Sequence, residues 1–258
     1  MTGYRFCTVE DEGRVRIATL NRPEVLNALH SEAHWELDAV WNEFAARADL
    51  WVGIITGAGE RAFSAGNDLK VQAAGRRGPR PATGFAGLTS RFDLDKPLIA
   101  AVNGVAMGGG FETALACDII VAAENAVFAL PEPRVGLIAG SGVHRLPRMI
   151  GPKAALGMIL TGRRVPAAEG MRLGFVNEVV PEGEALAAAR RWAGQILECS
   201  PMAIRASKQV VYRSLDMPTL EAAMRASYPA AEANLKSQDY IEGPRAFAER
   251  RKPEWRNR

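Results

Sequence analysis

Four short apolar runs constrain the fold most: V-G-I-I-T (Val52–Thr56), P-L-I-A-A-V-N (Pro97–Asn103), D-I-I-V-A-A (Asp118–Ala123) and A-V-F-A-L-P (Ala126–Pro131). Each reads as a strand. A glycine triplet opening a helix separates the second from the third, and a short turn separates the third from the fourth. Strands alternating with helices predict an α/β domain. The opening segment F-C-T-V-E-D-E-G-R-V-R-I-A-T-L reads as a β-hairpin turning at Asp11, Glu12 and Gly13. Ser31 is a plausible N-cap for a helix whose Trp35, Val40, Trp41 and Phe44 fall near helical spacing.

Between Gly75 and Gly87 the chain reads G-R-R-G-P-R-P-A-T-G-F-A-G, which predicts a mobile surface loop. Beyond about Pro201 no strand signal remains. P-M-A-I-R-A-S-K-Q-V-V-Y-R-S-L and T-L-E-A-A-M-R-A-S-Y read as amphipathic helices, and G-P-R-A-F-A-E-R-R-K as a short final one. The expected organisation is an α/β core over residues 1–200 and a helical region over 201–258. That region is suited to packing on a neighbouring subunit or on its own core. No internal repeat of fixed period is evident.

Composition narrows the function classes. The chain has 258 residues, 48% hydrophobic and 24% charged, with a formal net charge of +3 and no long like-charge block. It reads as an ordinary globular protein rather than a nucleic-acid binder. Cys7, Cys117 and Cys199 lie far apart, which predicts neither a disulfide framework nor a zinc site and suits a reducing compartment. The N-terminus is charged, and no apolar run reaches the ~18 residues of a membrane span. A cytoplasmic protein without nucleic-acid or membrane partners is expected.

The triplet Gly108, Gly109, Gly110 raises the chemical question. The first turn of a helix has peptide N–H groups without intrahelical partners, and glycine lets a ligand oxygen approach them. An oxyanion site is one reading; a tight turn that permits close helix-to-strand packing is the other. Glu112 follows in the first helical turn, where the dipole favours a carboxylate in any case. A second carboxylate, Glu132, stands where an apolar strand ends against prolines in A-L-P-E-P-R-V-G. Two carboxylates beside an oxyanion site fit general acid–base chemistry next to a carbonyl that becomes an enolate. Ala65 and Gly66, in R-A-F-S-A-G-N-D-L-K, could supply a second backbone donor or form an ordinary β-to-α loop.

Rival motifs are weak. Gly57, Gly59 and Ala62 satisfy a relaxed dinucleotide fingerprint, but its helix would have to run through F-S-A-G-N-D. Ser141, in A-G-S-G-V, lacks the first glycine of a nucleophile elbow. His30 and His34 form an i, i+4 pair without a cysteine or glutamate partner in a metal pattern, and His144 stands apart, so a surface pair is expected rather than a metal site.

F-S-A-G-N-D-L-K, K-P-L-I-A-A-V-N-G-V-A-M-G-G-G-F-E, F-A-L-P-E-P-R-V-G-L and L-T-G-R-R-V-P-A-A-E-G-M-R-L-G-F-V-N-E-V-V, in this order, resemble the crotonase superfamily, the enoyl-CoA hydratase/isomerase family. The resemblance runs from about Arg16 to the C-terminus. It implies a crotonase-like spiral of ββα repeats with a helical C-terminal trimerisation region, assembled as a homotrimer or a hexamer (dimer of trimers). It also implies reversible addition of water to an α,β-unsaturated acyl-CoA, with the CoA thioester as substrate and no prosthetic group.

The same resemblance places the oxyanion hole on the N–H groups of Ala65 and Gly109, the catalytic pair on Glu112 and Glu132, and water positioning on Gly140. CoA contacts fall on Arg22, Val25, Ala65, Gly66, Asn67, Asp68 and Leu69, and on Phe247 and Arg250 reaching a neighbouring subunit. G-F-A-G-L-T-S-R-F-D-L-D-K-P and I-E-G-P-R-A-F-A-E-R-R-K-P-E-W resemble the branch that handles carnitine-type thioesters, whereas I-A-G-S-G-V-H-R-L departs from the common hydratase pattern at Ala139, Ser141 and His144. A Δ3-Δ2-enoyl-CoA isomerase and a noncatalytic acyl-CoA-binding protein are the alternatives.

Overall fold

The computed structural model describes residues 3–76 and 78–258. Ten strands alternate with eleven α-helices among them. The hairpin expected at the start is present: β1 (Cys7–Glu12) pairs antiparallel with β2 (Val15–Leu20), with Cys7 opposite Leu20 and Glu12 opposite Val15. Asp11 and Glu12 belong to the strand, so the turn is tighter than read, with Gly13 at φ 59° supplying its left-handed residue. Helix α1 (Ser31–Ala46) starts one residue earlier than expected. His30 is its N-cap, accepting the Ala33 N–H at Nδ1 (3.4 Å), and Ser31 is the first helical residue.

The next strands come in pairs that split between two sheets. β3 (Val52–Gly57), β5 (Leu98–Val102) and β7 (Ile119–Ala123) join the six-stranded sheet β1-β2-β3-β5-β7-β10, and β10 is Glu178–Val180. β4 (Ala62–Ser64), β6 (Val105–Met107) and β8 (Val127–Ala129) join β9 (Val165–Pro166) in a four-stranded sheet. All pairings from β2 to β10 are parallel except β8 with β9. Each pair then leads into a helical turn: α2 (Leu69–Ala73), α3 (Gly109–Leu115) and a 3-10 turn, Glu132–Val135. This is the expected ββα spiral. Its turns differ in length, because the first carries α2 and a long irregular segment, so no fixed period marks it in the sequence.

Alternate residues of the large sheet face two cores. Ile55, Ala100, Val102 and Ile120 pack toward Leu37, Val40, Trp41 and Phe44 of α1. Ile54, Ile99, Ala101 and Val121 pack toward α7 (Ala185–Leu197), whose Ala185, Ala188, Ala189 and Ala193 present a ridge of small residues. Period two in the strands thus meets helical period on both sides. On the small sheet, the Phe111, Phe128 and Phe175 rings meet at centroid distances of 5.1 to 5.2 Å. That cluster anchors α3 from behind.

The Gly75–Gly87 segment is irregular and largely at the surface as expected, and departs from a surface loop at its far end. Arg77 lies outside the described residues. At its far end, Phe85, Ala86 and Gly87 form a buried 3-10 turn. Ala86 has φ 53°, a conformation that a non-glycine residue adopts only when its surroundings hold it. Helix α1 does so: the Ala86 N–H donates to His34 Nδ1 (3.2 Å) and the Trp41 indole donates to the Ala86 carbonyl (3.2 Å).

After α4 (Gly142–Ile150), α5 (Pro152–Thr161), α6 (Ala167–Leu173) and α7, the C-terminal helices are α8 (Pro201–Ser214), α9 (Leu220–Arg225), α10 (Pro229–Leu235) and α11 (Gln238–Ala248). Helix α8 docks on its own core. Lys208 Nζ donates to Asp118 Oδ2 and to the Lys96 carbonyl, each at 2.8 Å, and Gln209 donates to Asp95 (2.8 Å). The chain end returns as well, with the Trp255 indole donating to the Glu198 carbonyl (2.9 Å) and Asn257 to that of Ala48 (2.9 Å).

Candidate active site

The spiral stacks the turn after β4 directly on the turn after β6. Gly66, at φ +86°, lies so close to the second turn that a methyl group on it would sit 2.5 Å from the Met107 carbonyl and 2.9 Å from the Gly109 nitrogen. The glycines of the triplet each meet a different neighbour. A methyl on Gly108 would come 2.8 Å from Glu132 Oε1, one on Gly109 would strike the Phe85 ring at 2.5 Å, and one on Gly110 would strike the Ser64 carbonyl at 2.2 Å. Close packing and an open N–H turn, alternatives in the sequence, are therefore both present.

The backbone hydrogen bonds of the first turn change one assignment. The Ala65 N–H donates to the Leu26 carbonyl (2.8 Å), so it is not available as the oxyanion donor expected from the resemblance. The Gly66 N–H donates to Ser64 Oγ (3.1 Å) and the Asp68 N–H to the Leu29 carbonyl (2.8 Å). Between them the Asn67 N–H has no acceptor among the described residues. Asn67 had been expected only to contact CoA. The signal for it was the left-handed Gly66, which turns the following peptide away from the strand partner. Across the gap, Gly108 donates to the Ala129 carbonyl (2.9 Å). Gly109, first in α3, has no intrahelical acceptor. Gly110 and Phe111 in the same helical turn have no acceptor among the described residues either, and of these donors Gly109 lies nearest the Gly66 turn, which brings it toward the Asn67 N–H.

The two glutamates are held at two different glycine-bearing turns, Glu112 at Gly140–Gly142 and Glu132 at Gly108. Glu112 is buried, and its Oε1 accepts the N–H groups of Ser141 (2.5 Å) and Gly142 (2.7 Å), which fixes one oxygen, while Oε2 has no hydrogen-bond partner among the described residues. Glu132, at the start of its 3-10 turn, holds Oε1 beside Gly108, while its Oε2 is buried without a partner among the described residues. Burial pushes the Glu132 carboxyl up to about 7, and the charge of Glu112 adds to the rise. Gly140 borders the pair: a methyl on it would lie 4.0 Å from Glu112 Oε1. A cavity of 820 Å³ opens on Glu112 and Ser141 and runs past Phe85 and Leu88 to Phe92 and Tyr212, beneath α8. Arg80, Gly84 and Phe85 of the irregular segment after β4 also line it.

The expected CoA residues form two groups. Arg22 and Asp68 are ion-paired (3.0 Å), and Arg22 also donates to the Ala28 carbonyl (2.6 Å), which ties the Pro23–Val25 turn to the Gly66–Leu69 turn. Arg22, Val25, Ala65, Gly66, Asn67, Asp68 and Leu69 thus share one edge of the site. Phe247, 88% exposed, and Arg250 stand at the end of α11, and no contact within the described chain brings them to that edge.

The histidine pair is not a surface pair. His34 is buried, with its Nδ1 occupied by Ala86, and burial drops its imidazole to about 3, with the charges of Arg80 and His30 adding to the fall. No cluster of three metal-ligating side chains occurs among the described residues.

Comparison with known proteins adds identity to this geometry. The profile of a family described as enoyl-CoA hydratase/isomerase matches residues 10–258. The carnitinyl-CoA dehydratase of Escherichia coli K12 is 46% identical over 258 residues, covering 95% of this chain and 96% of that protein. The Salmonella typhi protein of the same name is 45% identical with the same coverage. Among solved structures, an enoyl-CoA hydratase from Mycobacterium tuberculosis H37Rv superposes with a TM-score of 0.92 at 38% identity, covering 98% of this chain and 99% of that one. One from Bacillus anthracis superposes at 0.90 and 33% identity, covering 98% and 100%.

Proposed function

Because the chain belongs to the enoyl-CoA hydratase/isomerase family, we propose that it is a hydro-lyase that interconverts an α,β-unsaturated acyl-CoA and its 3-hydroxyacyl-CoA. The acyl group we propose is of the carnitinyl/crotonobetainyl type, on the strength of the relatives named for it. One observation carries the chemistry: Glu132 packs against Gly108, the N-cap of the helix whose first turn carries Glu112, and burial together with the charge of Glu112 pushes the Glu132 carboxyl up to about 7.

In hydration, the thioester oxygen lies between the N–H groups of Asn67 and Gly109, where charge develops as the enolate forms. Glu112 Oε2 accepts a proton from water as its oxygen bonds to Cβ, and protonated Glu132 delivers a proton to Cα. The pair holds one proton before and after the step; in reverse the same atoms expel water. Arg22 and the Gly66–Leu69 turn would hold the CoA moiety, and Gly140 would border the attacking water.

The test is the loss of conjugated enoyl-thioester absorbance when the protein meets crotonyl-CoA or crotonobetainyl-CoA. No loss with either, or a double-bond shift alone from a 3-enoyl-CoA, would sink this reading. The pH profile tests the shared proton. Water addition takes up no net proton, so both directions use the singly protonated pair. With Glu132 at about 7, kcat/KM for hydration and for dehydration should fall together as pH rises through that value, by about tenfold per unit well above it. Opposite trends in the two directions would contradict the assignment.

We further propose a homotrimer or a dimer of trimers in the cytoplasm. Val135, Ile138 and Leu160 are exposed large apolar side chains beside the Glu132 turn, as a subunit contact requires. In such an assembly Phe247 and Arg250 would reach a neighbour's CoA. No described helix is long and apolar enough to cross a membrane. Light scattering should return three or six times 27.8 kDa; a monomer overturns the assembly.

A further inference from the structure

We propose that the Ser141 hydroxyl holds the β-oxygen of the substrate, meaning the water in hydration and the 3-hydroxyl in dehydration; the proposal rests on the hydro-lyase reading above. Ser141 is where the sequence departs from the common hydratase pattern, and it serves no nucleophile elbow. Its backbone is fixed against the reacting carboxylate, because its N–H donates to Glu112 Oε1 at 2.5 Å. Ser141 is one of the residues around the cavity that opens on Glu112. Its Oγ is buried and meets no donor or acceptor among the described residues.

A hydroxyl has one donor and two acceptor sites, and leaving it buried and unpaired costs about 1–3 kcal/mol. Other serines at helix starts use theirs locally: Ser200 Oγ accepts the Ala203 N–H (3.3 Å) and Ser237 Oγ the Tyr240 N–H (3.1 Å). Ser141 directly precedes α4 yet does not cap it. Its hydroxyl is therefore left for a ligand.

The chemistry says which ligand atom. With Oε1 of Glu112 taken by two N–H groups, proton transfer runs through Oε2, to or from the oxygen that bonds to Cβ. That oxygen carries a second lone pair, and a hydroxyl donor beside Glu112 can accept neither its proton nor its place. It can only orient it. In dehydration the Cβ–O bond breaks, Glu112 protonates the departing oxygen, and the Ser141 hydrogen bond steadies the charge that builds there. Ser141 keeps its own proton throughout.

The experiment compares wild type with Ser141→Ala and Ser141→Gly. Both variants should lower kcat about tenfold in both directions, the loss expected of one hydrogen bond to a partly charged oxygen. Affinity for butyryl-CoA, which has no β-oxygen, should stay within about twofold of wild type, whereas affinity for 3-hydroxybutyryl-CoA should weaken about tenfold by the same hydrogen-bond magnitude. Wild-type kcat in either variant overturns the proposal. So does an equal loss of affinity for both ligands, which would mark a collapsed pocket. If the wild-type protein converts no enoyl-CoA at all, the hydro-lyase reading fails, and the ratio of the two affinities still judges Ser141 on its own.

Discussion

Glu132→Gln should reduce hydration of crotonyl-CoA by about 10²–10⁴ in kcat while leaving KM within a few-fold, because it removes a positioned proton donor and little of the binding surface. Glutamine matches glutamate in shape, so the 3-10 turn at Pro131 and the approach of residue 132 to Gly108 persist. The variant should also respond differently to pH in its stability. Glu132 sits at about 7 in the fold, above its ordinary 4.5. Between those values the unfolded chain has released the proton that the native chain still holds, so stability falls as pH rises through the window. Glutamine has no proton to lose. Melting of the variant should therefore be flatter with pH than that of wild type, and at pH 8 it should be no less stable. Retention of full turnover would remove Glu132 from the mechanism; a loss of turnover with an unfolded variant would be recognised from the melting curve.

Gly110→Ala should be the most damaging of the three triplet substitutions. The new methyl would lie 2.2 Å from the Ser64 carbonyl, a backbone atom at the end of β4 that cannot rotate away. Either α3 shifts off the small sheet or β4 does, and each movement separates the Gly109 N–H from the Asn67 N–H. Overpacking of this kind costs about 1–3 kcal/mol. Loss of one oxyanion donor costs about 10²–10³ in kcat. Gly109→Ala should be milder in stability, since its obstacle is the Phe85 ring. Gly157→Ala is the control: nothing lies within 4 Å of the added methyl in the middle of α5, so it should gain about 0.5–1 kcal/mol from helix propensity with unchanged turnover. Chemical denaturation and initial rates on the same preparations separate the two effects.

Much of the site was legible in the chain. The strand runs and the glycine triplet located the spiral's second turn, and the carboxylates followed from residue type and position: one in a first helical turn, one at a strand end. Three features were not legible, each for the same kind of reason. Ala65 and Asn67 both belong to the turn A-G-N-D, and which of them keeps a free N–H depends on the Leu26 and Leu29 carbonyls, some 40 residues earlier. His34 looked like a surface residue on a helix. It is buried because the 3-10 turn at Phe85, far along the chain, folds back onto α1 and needs an acceptor for Ala86. Ser31 is the cap that residue type suggests, and the extended backbone of His30 makes that residue the cap instead.

By itself, then, the sequence determined the local inventory: which segments pair as strands, where glycine permits a sharp turn into a helix, and which two carboxylates stand at element ends. Those depend on side-chain periodicity and backbone freedom within a few residues. Tertiary structure alone decided which peptide donors remain unpaired, how burial lifts Glu132 toward neutrality, and that the Ser141 hydroxyl is left buried and unpartnered beside the cavity that opens on Glu112. Hydrogen-bond satisfaction and desolvation are properties of neighbours in space, and the spiral draws those neighbours from turns far apart in the chain.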